Sequence, residues 1–260
     1  MTTRELLNHN RTEIENFIRA RAKTAYVGDA VLCRVFGNHN MYVDHFNYDM
    51  APWLMLDGLW EMWVAMAVGR AIQPGWTCID AGAWCGFYSL MMADLVGPSG
   101  KVIAYEPNEK HANLCRRSFK ANGFSWAELR QAAVSNEAGT AKFLLTDGGG
   151  SRLESEGDVT VSTETIDSLA IGRVDLIKMD IEGGEYKAWK GMQETIKRNP
   201  NIIIIMEFNS GRYSDSIKFI DNISKVFNVI RTVTTDGATK VISHAEIISA
   251  SGEQMLWLQN

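Results

Sequence analysis

From Trp76 onward the chain alternates between two hydrophobic textures. Short, almost unbroken apolar runs (WTCID, KVIAYE, VDLIKMD and NIIIIMEF) read as strands buried on both faces. Between them lie longer segments with apolar residues at helical spacing. These are FYSLMMADLV (Phe87–Val96), the segment from Asn108 to Gly123, IEGGEYKAWKGMQETIKRN and YSDSIKFIDNISKVF. Asn108 predicts an N-cap and Gly123 a C-terminal stop. AELRQAAVS reads as a third strand. TAKFLLT and DVTVST read as an antiparallel pair around DGGGSRLESEG, and that glycine-rich segment, Asp147–Gly157, is expected to be a mobile loop. FNVIRTV and QMLWLQ close the chain as shorter strands. Strand and helix alternating at this spacing predict right-handed βαβ units: an α/β fold with a mostly parallel sheet and helices on both faces. In such sheets ligands bind at the carboxyl ends of the strands.

Upstream the pattern is mixed. VLCRVFG and MYVDHF read as short strands around a turn at Gly37–Asn40. APWLMLDGLWEMWVAMAVG, Ala51–Gly69, is the most apolar stretch, but Asp57, Gly58 and Glu61 interrupt it. No uncharged run there approaches the roughly 20 residues of a membrane span, so it reads as a core helix or helix pair. The tryptophan-rich part, residues 53–63, would suit a homodimer contact.

Four of the apolar strands deliver a carboxylate to the same sheet edge: Asp80, Glu106, Asp180 and Glu207. A charge at a buried strand end is costly unless solvated, paired or bound, and four in register point to a site. Gly82 and Gly86 shape the turn after the first strand and would let a ligand approach the backbone. Glu106 ends the next strand roughly 20 residues past the glycines, where an acid typically holds ribose hydroxyls. A dinucleotide site would show G-x-G-x-x-G. This turn reads D-x-G-x-x-x-G and opens with Asp80, a poor neighbour for a pyrophosphate. An acid there suits a cationic ligand with a sulfonium and an ammonium group, S-adenosylmethionine.

Charge and cysteines narrow the class further. The 260 residues carry a formal net charge of -5, with no Lys/Arg block, which argues against nucleic acid as a partner. The N-terminus has no apolar core of signal-peptide type. Cys33, Cys78, Cys85 and Cys115 form no C-x-x-C pair and read as reduced, buried thiols of a cytoplasmic protein.

CIDAGAWCGFYS, VIAYEPN, AAVSNEAG, ETIDSL and VDLIKMDIEGGEYKAWKGM, in this order, resemble the FkbM family of S-adenosylmethionine-dependent O-methyltransferases. GLWE, Gly58–Glu61, is similar to the short segment that precedes the family's first motif, and DIEGGE is the specific part. The resemblance implies a bacterial enzyme with the class I methyltransferase fold: seven strands, the last antiparallel. It implies a cofactor domain over residues 51–260, with residues 1–50 as an α/β extension that helps cap the substrate. It implies methylation of a hydroxyl on a sugar, glycolipid or other natural-product acceptor. Carried over residue by residue, Asp80, Gly82, Ala83 and Gly86 would line the methionine end, with Glu61 nearby. Glu106 and Pro107 would take the ribose side and Ala133 the adenine, with Asp180 beside the methyl group. The chain departs from the family at Trp84, where Asn is usual; the tryptophan adds bulk, either as a tolerated swap on the outer side of the turn or as one wall of the substrate pocket.

Methyl transfer to a hydroxyl needs alignment and a positioned base. Asp180 is the first candidate, followed by Glu207 and Glu182, with His39 and His45 as remoter ones. Glu185 reads as a helix-start acid favoured by the dipole. Asp180, Glu182 and Glu207 could also hold Mg²⁺, a secondary expectation, and no metal ligand is assigned. Two other classes stay open: an NAD- or nucleotide-sugar-dependent oxidoreductase on a similar sheet, and a binding module without turnover.

Overall fold

Thr2 and Asn10 each accept a backbone N–H three residues on, while Glu5 and Glu13 reach back to the cap residues. Two capping boxes therefore start helices α1 (Thr3–Leu6) and α2 (Arg11–Arg19). The computed structural model describes residues 1–260. After α2 come strands β1 (Thr24–Val27), β2 (Ala30–Val35) and β3 (His39–Val43), an antiparallel sheet in the order β1-β2-β3. Pro52 opens α3 (Ala51–Leu56), and the break at Asp57–Glu61 separates it from α4 (Met62–Ala71), so the apolar stretch is a helix pair. β1 was not legible in the pattern because all four of its residues are exposed.

The remaining elements are β4 (Thr77–Ala81), α5 (Phe87–Val96), β5 (Lys101–Tyr105), α6 (Glu109–Ala121), β6 (Ala127–Arg130), β7 (Ala133–Val134), β8 (Gly139–Leu144), β9 (Arg152–Leu153) and β10 (Val159–Glu164). They continue with β11 (Leu176–Met179), α7 (Glu185–Lys190), α8 (Gln193–Arg198), β12 (Ile203–Phe208), α9 (Ser216–Ser224), β13 (Ile230–Val233), β14 (Thr239–Val241), α10 (His244–Ser249) and β15 (Gln254–Leu258). The main sheet runs β14-β13-β15-β12-β11-β4-β5-β6. From β12 to β6 neighbours pair in parallel, and β15 runs antiparallel to β12 and β13. The expected seven strands with an antiparallel last one are present. β14, antiparallel to β13, is an eighth, edge strand. Asn108 caps α6 as expected.

Two expectations need correction. AELRQAAVS is two strands: β6 stays in the main sheet, while β7 turns away to pair with β10 in a second sheet, β7-β10-β8-β9. The helix expected after DIEGG is two short ones, α7 and α8. The chain breaks at Gly191, where a Cβ would collide with the carbonyl oxygen of Ser135. The Asp147–Gly157 segment contains β9, which pairs with β8, and Gly149 N donates to Asp49 Oδ2 at 2.8 Å. It is therefore a strap fastened to the N-terminal region.

Both faces of the sheet are covered. Cys78, Val102, Leu176 and Ile205 point to one face, and Ile79, Ile103, Ile177 and Ile204 to the other. The first face carries the larger core, 44 buried residues that run without interruption from Leu6, Ile14, Val31 and Met41 into α4 and α5. The N-terminal residues are thus built into the same core as the sheet. All four cysteines are free and buried, and no helix is long and apolar enough to cross a membrane.

Candidate active site

Four non-glycine residues adopt positive φ: Phe36, Glu61, Trp84 and Glu182. Such conformations are strained for side chains other than Asn and Asp, and they cluster where a surrounding structure enforces them. Glu61, Trp84 and Glu182 all line one cavity of about 630 Å³ at the carboxyl ends of β4, β5, β11 and β12. This volume suits a ligand of cofactor size.

The cavity is built from loops that the strands launch. Gly82, at φ 84°, sits where β4 ends against β11; a Cβ there would collide with the carbonyl oxygen of Asp180. Glycine is needed at this point for the close approach of two backbones. The Gly82 and Ala83 N–H groups donate to Tyr105 O, which ties the turn to β5. Glu106 lies at the end of β5, buried, with Oε2 accepting from Trp84 N and Oε1 from Asn108 N, both at 2.9 Å. Burial pushes its carboxyl above the ordinary range. Trp84 packs edge-on to His111, 5.7 Å between ring centroids, and both residues line the cavity. His111 was not a sequence candidate, since a lone helical histidine gives no signal.

At the other end lie the acids. Asp180 Oδ2 accepts from Lys178 Nζ at 3.2 Å. Glu182, Glu207 and Asp180 offer oxygens within 4.8 Å of one another, and Arg212 reaches into the same group. Its guanidinium pairs with Glu182 Oε2 at 2.7 Å, with Glu253 Oε1 at 2.6 Å and with Glu207. Burial and neighbouring Asp180 outweigh Arg212 and hold Glu182 up to about 7. The same two causes raise Glu207. A Mg²⁺ ion on these three carboxylates would have to displace the guanidinium, so the set does not fit a resident metal. Arg212 and Glu253 were invisible in the sequence because neither ends an apolar strand.

Glu61, Gly82, Ala83, Glu106, Pro107, Ala133, Asp180, Glu182 and Glu207 all line the cavity, alongside Tyr88 and Lys178. Two other expected residues do not form its wall. Asp80 lies within the body of β4, 0% exposed, and its side chain turns under α5 to accept from Ser89 Oγ at 2.5 Å. Gly86 begins α5 at φ 100°, where a Cβ would meet Cys115 Sγ at 2.8 Å. His39 is tied to Thr3 and Asp94, and His45 stacks on Phe46; neither lines the cavity. Glu185 is fully buried and accepts from Ile181 N and from Tyr213 Oη, a structural role that agrees with its expected place in the first helical turn.

The methyltransferase FkbM domain matches residues 80–231. The chain belongs to the FkbM methyltransferase family. Its fold is that of class I S-adenosylmethionine-dependent methyltransferases. Among solved structures it is similar to an FkbM methyltransferase from Methylobacillus flagellatus KT, with 16% identity, 73% of this chain and 48% of that chain covered, and a TM-score of 0.46. The chain thus spans about half the length of that protein. It is also similar to an S-adenosylmethionine-dependent O-methyltransferase from Thermotoga maritima, at 12% identity, 92% and 86% coverage and a TM-score of 0.47. A Bacillus cereus O-methyltransferase in complex with S-adenosylhomocysteine is similar at 14% identity, 77% and 80% coverage and a TM-score of 0.46.

The donor set of this FkbM protein fits the cofactor. Glu106 keeps free lone pairs toward the cavity for hydroxyl donors, since each oxygen holds only one backbone N–H. At the far end, Asp80 Oδ1 is buried without a hydrogen-bond partner, and burial raises Asp80 and Glu61. These carboxylates outnumber the one ammonium among them, Lys178, and such an excess suits a ligand that brings positive charge.

Proposed function

We propose that this chain is an O-methyltransferase acting on a hydroxyl of a sugar, glycolipid or other natural-product acceptor. The observation that carries this reading is the carboxylate group Asp180, Glu182 and Glu207, which opens into the same cavity as Glu106. Bound there, S-adenosylmethionine would supply an electrophilic methyl group on a cationic sulfur. Glu106 holds the ribose hydroxyls with Pro107 beside it, Ala133 flanks the adenine, and Gly82, Ala83 and Glu61 take the methionine end. Asp80 acts from behind the wall through its charge, and Gly86 by fixing the turn.

The acceptor oxygen gains the methyl group and its proton passes to a carboxylate of the chain. Glu182 is the best base, because it lines the cavity and is held at about 7, near a working pH. Asp180 has one oxygen engaged by Lys178, which favours a charge-bearing role; Arg212 pairs with Glu182 and Glu207 alike, and Glu207 is the more deeply buried of the two. Residues 1–50 form the cap and residues 51–260 the cofactor domain. Asp49 and Met50 of the cap reach the cavity beside the strap residues Gly148–Ser151. The acceptor is a small molecule, and the reading requires neither nucleic acid nor membrane.

The test uses labelled S-adenosylmethionine with a panel of sugars, glycolipids and hydroxylated natural products. Label on a hydroxyl oxygen is expected, and Glu182→Gln should lower kcat on the order of 10²–10⁴-fold. Transfer to nitrogen or carbon acceptors alone would overturn the reading. Normal turnover by Glu182→Gln would move the base to Asp180 or Glu207.

A further inference from the structure

Lys178 is 2% exposed in the middle of the central strand β11, where its neighbours Leu176, Ile177 and Met179 are apolar. An ammonium in such a place is costly to desolvate, and an isoleucine would serve packing better. The fold surrounds this charge with acids. Lys178 lies directly opposite Asp80 in the β11–β4 register. Its Nζ is 3.2 Å from Asp180 Oδ2 and 4.5 Å from the centre of the Tyr88 ring. Tyr88 Oη in turn donates to Glu61 Oε2 at 2.9 Å. Asp80, Asp180, Glu61 and Lys178 therefore form one group with three carboxylates and a single ammonium, Asp80 and Lys178 buried and Asp180 and Glu61 half-buried. Burial works against the ammonium, but Asp180, Asp80 and Glu61 outweigh it and hold Lys178 above the ordinary lysine range.

We propose that Lys178 is a positioning residue that sets the net negative charge at the methyl-donor end of the cavity, and so sets the preference for the cationic methyl donor over its neutral product. This rests on the reading that the methionine end of the cofactor lies at Glu61, Gly82 and Asp180. The physical reason is the charge change of the reaction. Methyl transfer discharges the sulfonium, so a site that holds the cation too tightly stabilises the ground state and raises the barrier. Three unopposed carboxylates would do this. One fixed ammonium within the group, held by Asp180 and by the ring of Tyr88, reduces the excess while keeping Asp180 in one orientation. S-adenosylmethionine is then bound firmly enough to load, and the neutral thioether product is not penalised.

The test is a charge cycle read by binding, and it requires no acceptor. Dissociation constants for S-adenosylmethionine and S-adenosylhomocysteine are measured by calorimetry on the full chain and on Lys178→Met, Asp80→Asn and the double variant. Lys178→Met removes a positive charge, and the preference for the cationic ligand should rise about tenfold or more, the order of one charge acting across a partly buried site. Asp80→Asn removes a negative charge from the opposite position and should lower the preference by a similar factor. The double variant restores the balance and should return to near the parental ratio. It replaces two buried opposite charges on adjacent strands by neutral groups of similar size, which proteins commonly tolerate, so it decides the matter with Asp80→Asn if Lys178→Met does not fold. A purely structural lysine would weaken both ligands alike, and an unchanged ratio in Asp80→Asn, or a double variant far from the parental ratio, overturns the proposal. If the parent chain binds neither ligand, the cofactor assignment itself fails, an outcome distinct from binding with unshifted ratios.

Discussion

Replacing Glu106 by alanine tests the cofactor end of the cavity and the turn beside it in one experiment. The side chain is 6% exposed, and its two oxygens accept from Trp84 N and Asn108 N at 2.9 Å. Alanine would leave both backbone donors without a partner, Trp84 N in the turn before α5 and Asn108 N at the cap of α6. Hydrogen bonds to a charged acceptor contribute about 1.5–3 kcal/mol each, and leaving the buried donors unmet adds to the loss. The desolvation of the carboxylate, visible in its raised pKa, offsets part of this. A net destabilisation of about 2–4 kcal/mol follows, which for a chain of this size lowers Tm by about 5–15 °C. The fold should persist, because β5 itself keeps its ladder with β4 and β6. In the folded variant, affinity for S-adenosylhomocysteine should fall by roughly 1.5–3 kcal/mol, from the loss of charge-assisted bonds to the ribose hydroxyls. Thermal melts and calorimetry on the same samples separate the two effects. Glutamine at this position retains one acceptor oxygen and should fall between parent and alanine in both. An alanine variant that melts with the parent refutes the structural half of the reasoning; unchanged affinity refutes the ribose assignment.

Gly82→Ala should destabilise more than its size implies. The added methyl meets the Asp180 carbonyl, and φ of 84° is unfavourable for alanine, so a loss of about 3–5 kcal/mol is expected by denaturant unfolding, and a Tm within error of the parent would refute the contact. Glu182 is held at about 7 in the fold, above its ordinary value of 4.5. A raised carboxylate contributes stability that is fully present below about pH 4.5 and is lost as pH rises through about 7, so Glu182→Gln should flatten the decline in Tm across that window. Parallel Tm–pH profiles for parent and variant would remove Glu182 as the titrating group.

The positions of the central strands, the acids at their ends and the turn glycines were legible in the sequence, because these are local properties. A strand buried on both faces must be apolar throughout, and an acid that ends such a run stands out against it, as Glu106 and Asp180 do. The motif order from CIDAGAWCGFYS to DIEGGE was enough to resemble the family to which the chain belongs. Elements without such a pattern were missed. β1 has no buried face, β14 is a short exposed edge, and AELRQAAVS looked continuous because nothing local marks where β7 leaves the main sheet. The remainder depended on contacts between residues far apart in the chain. Gly82 is glycine because of the Asp180 carbonyl just past β11, Arg212 joins Glu182, Glu207 and Glu253 from three separate segments, and Asp49 fastens the strap at Gly149. VDLIKMD reads as a core strand, and nothing local singles out Lys178. Only the parallel register with Asp80 and the packing of α5 over the sheet turn it into a buried cation among carboxylates. Periodicity records whether a side chain is buried. Sheet order and crossovers decide what it is buried against, and that choice sets the charge balance of the cavity.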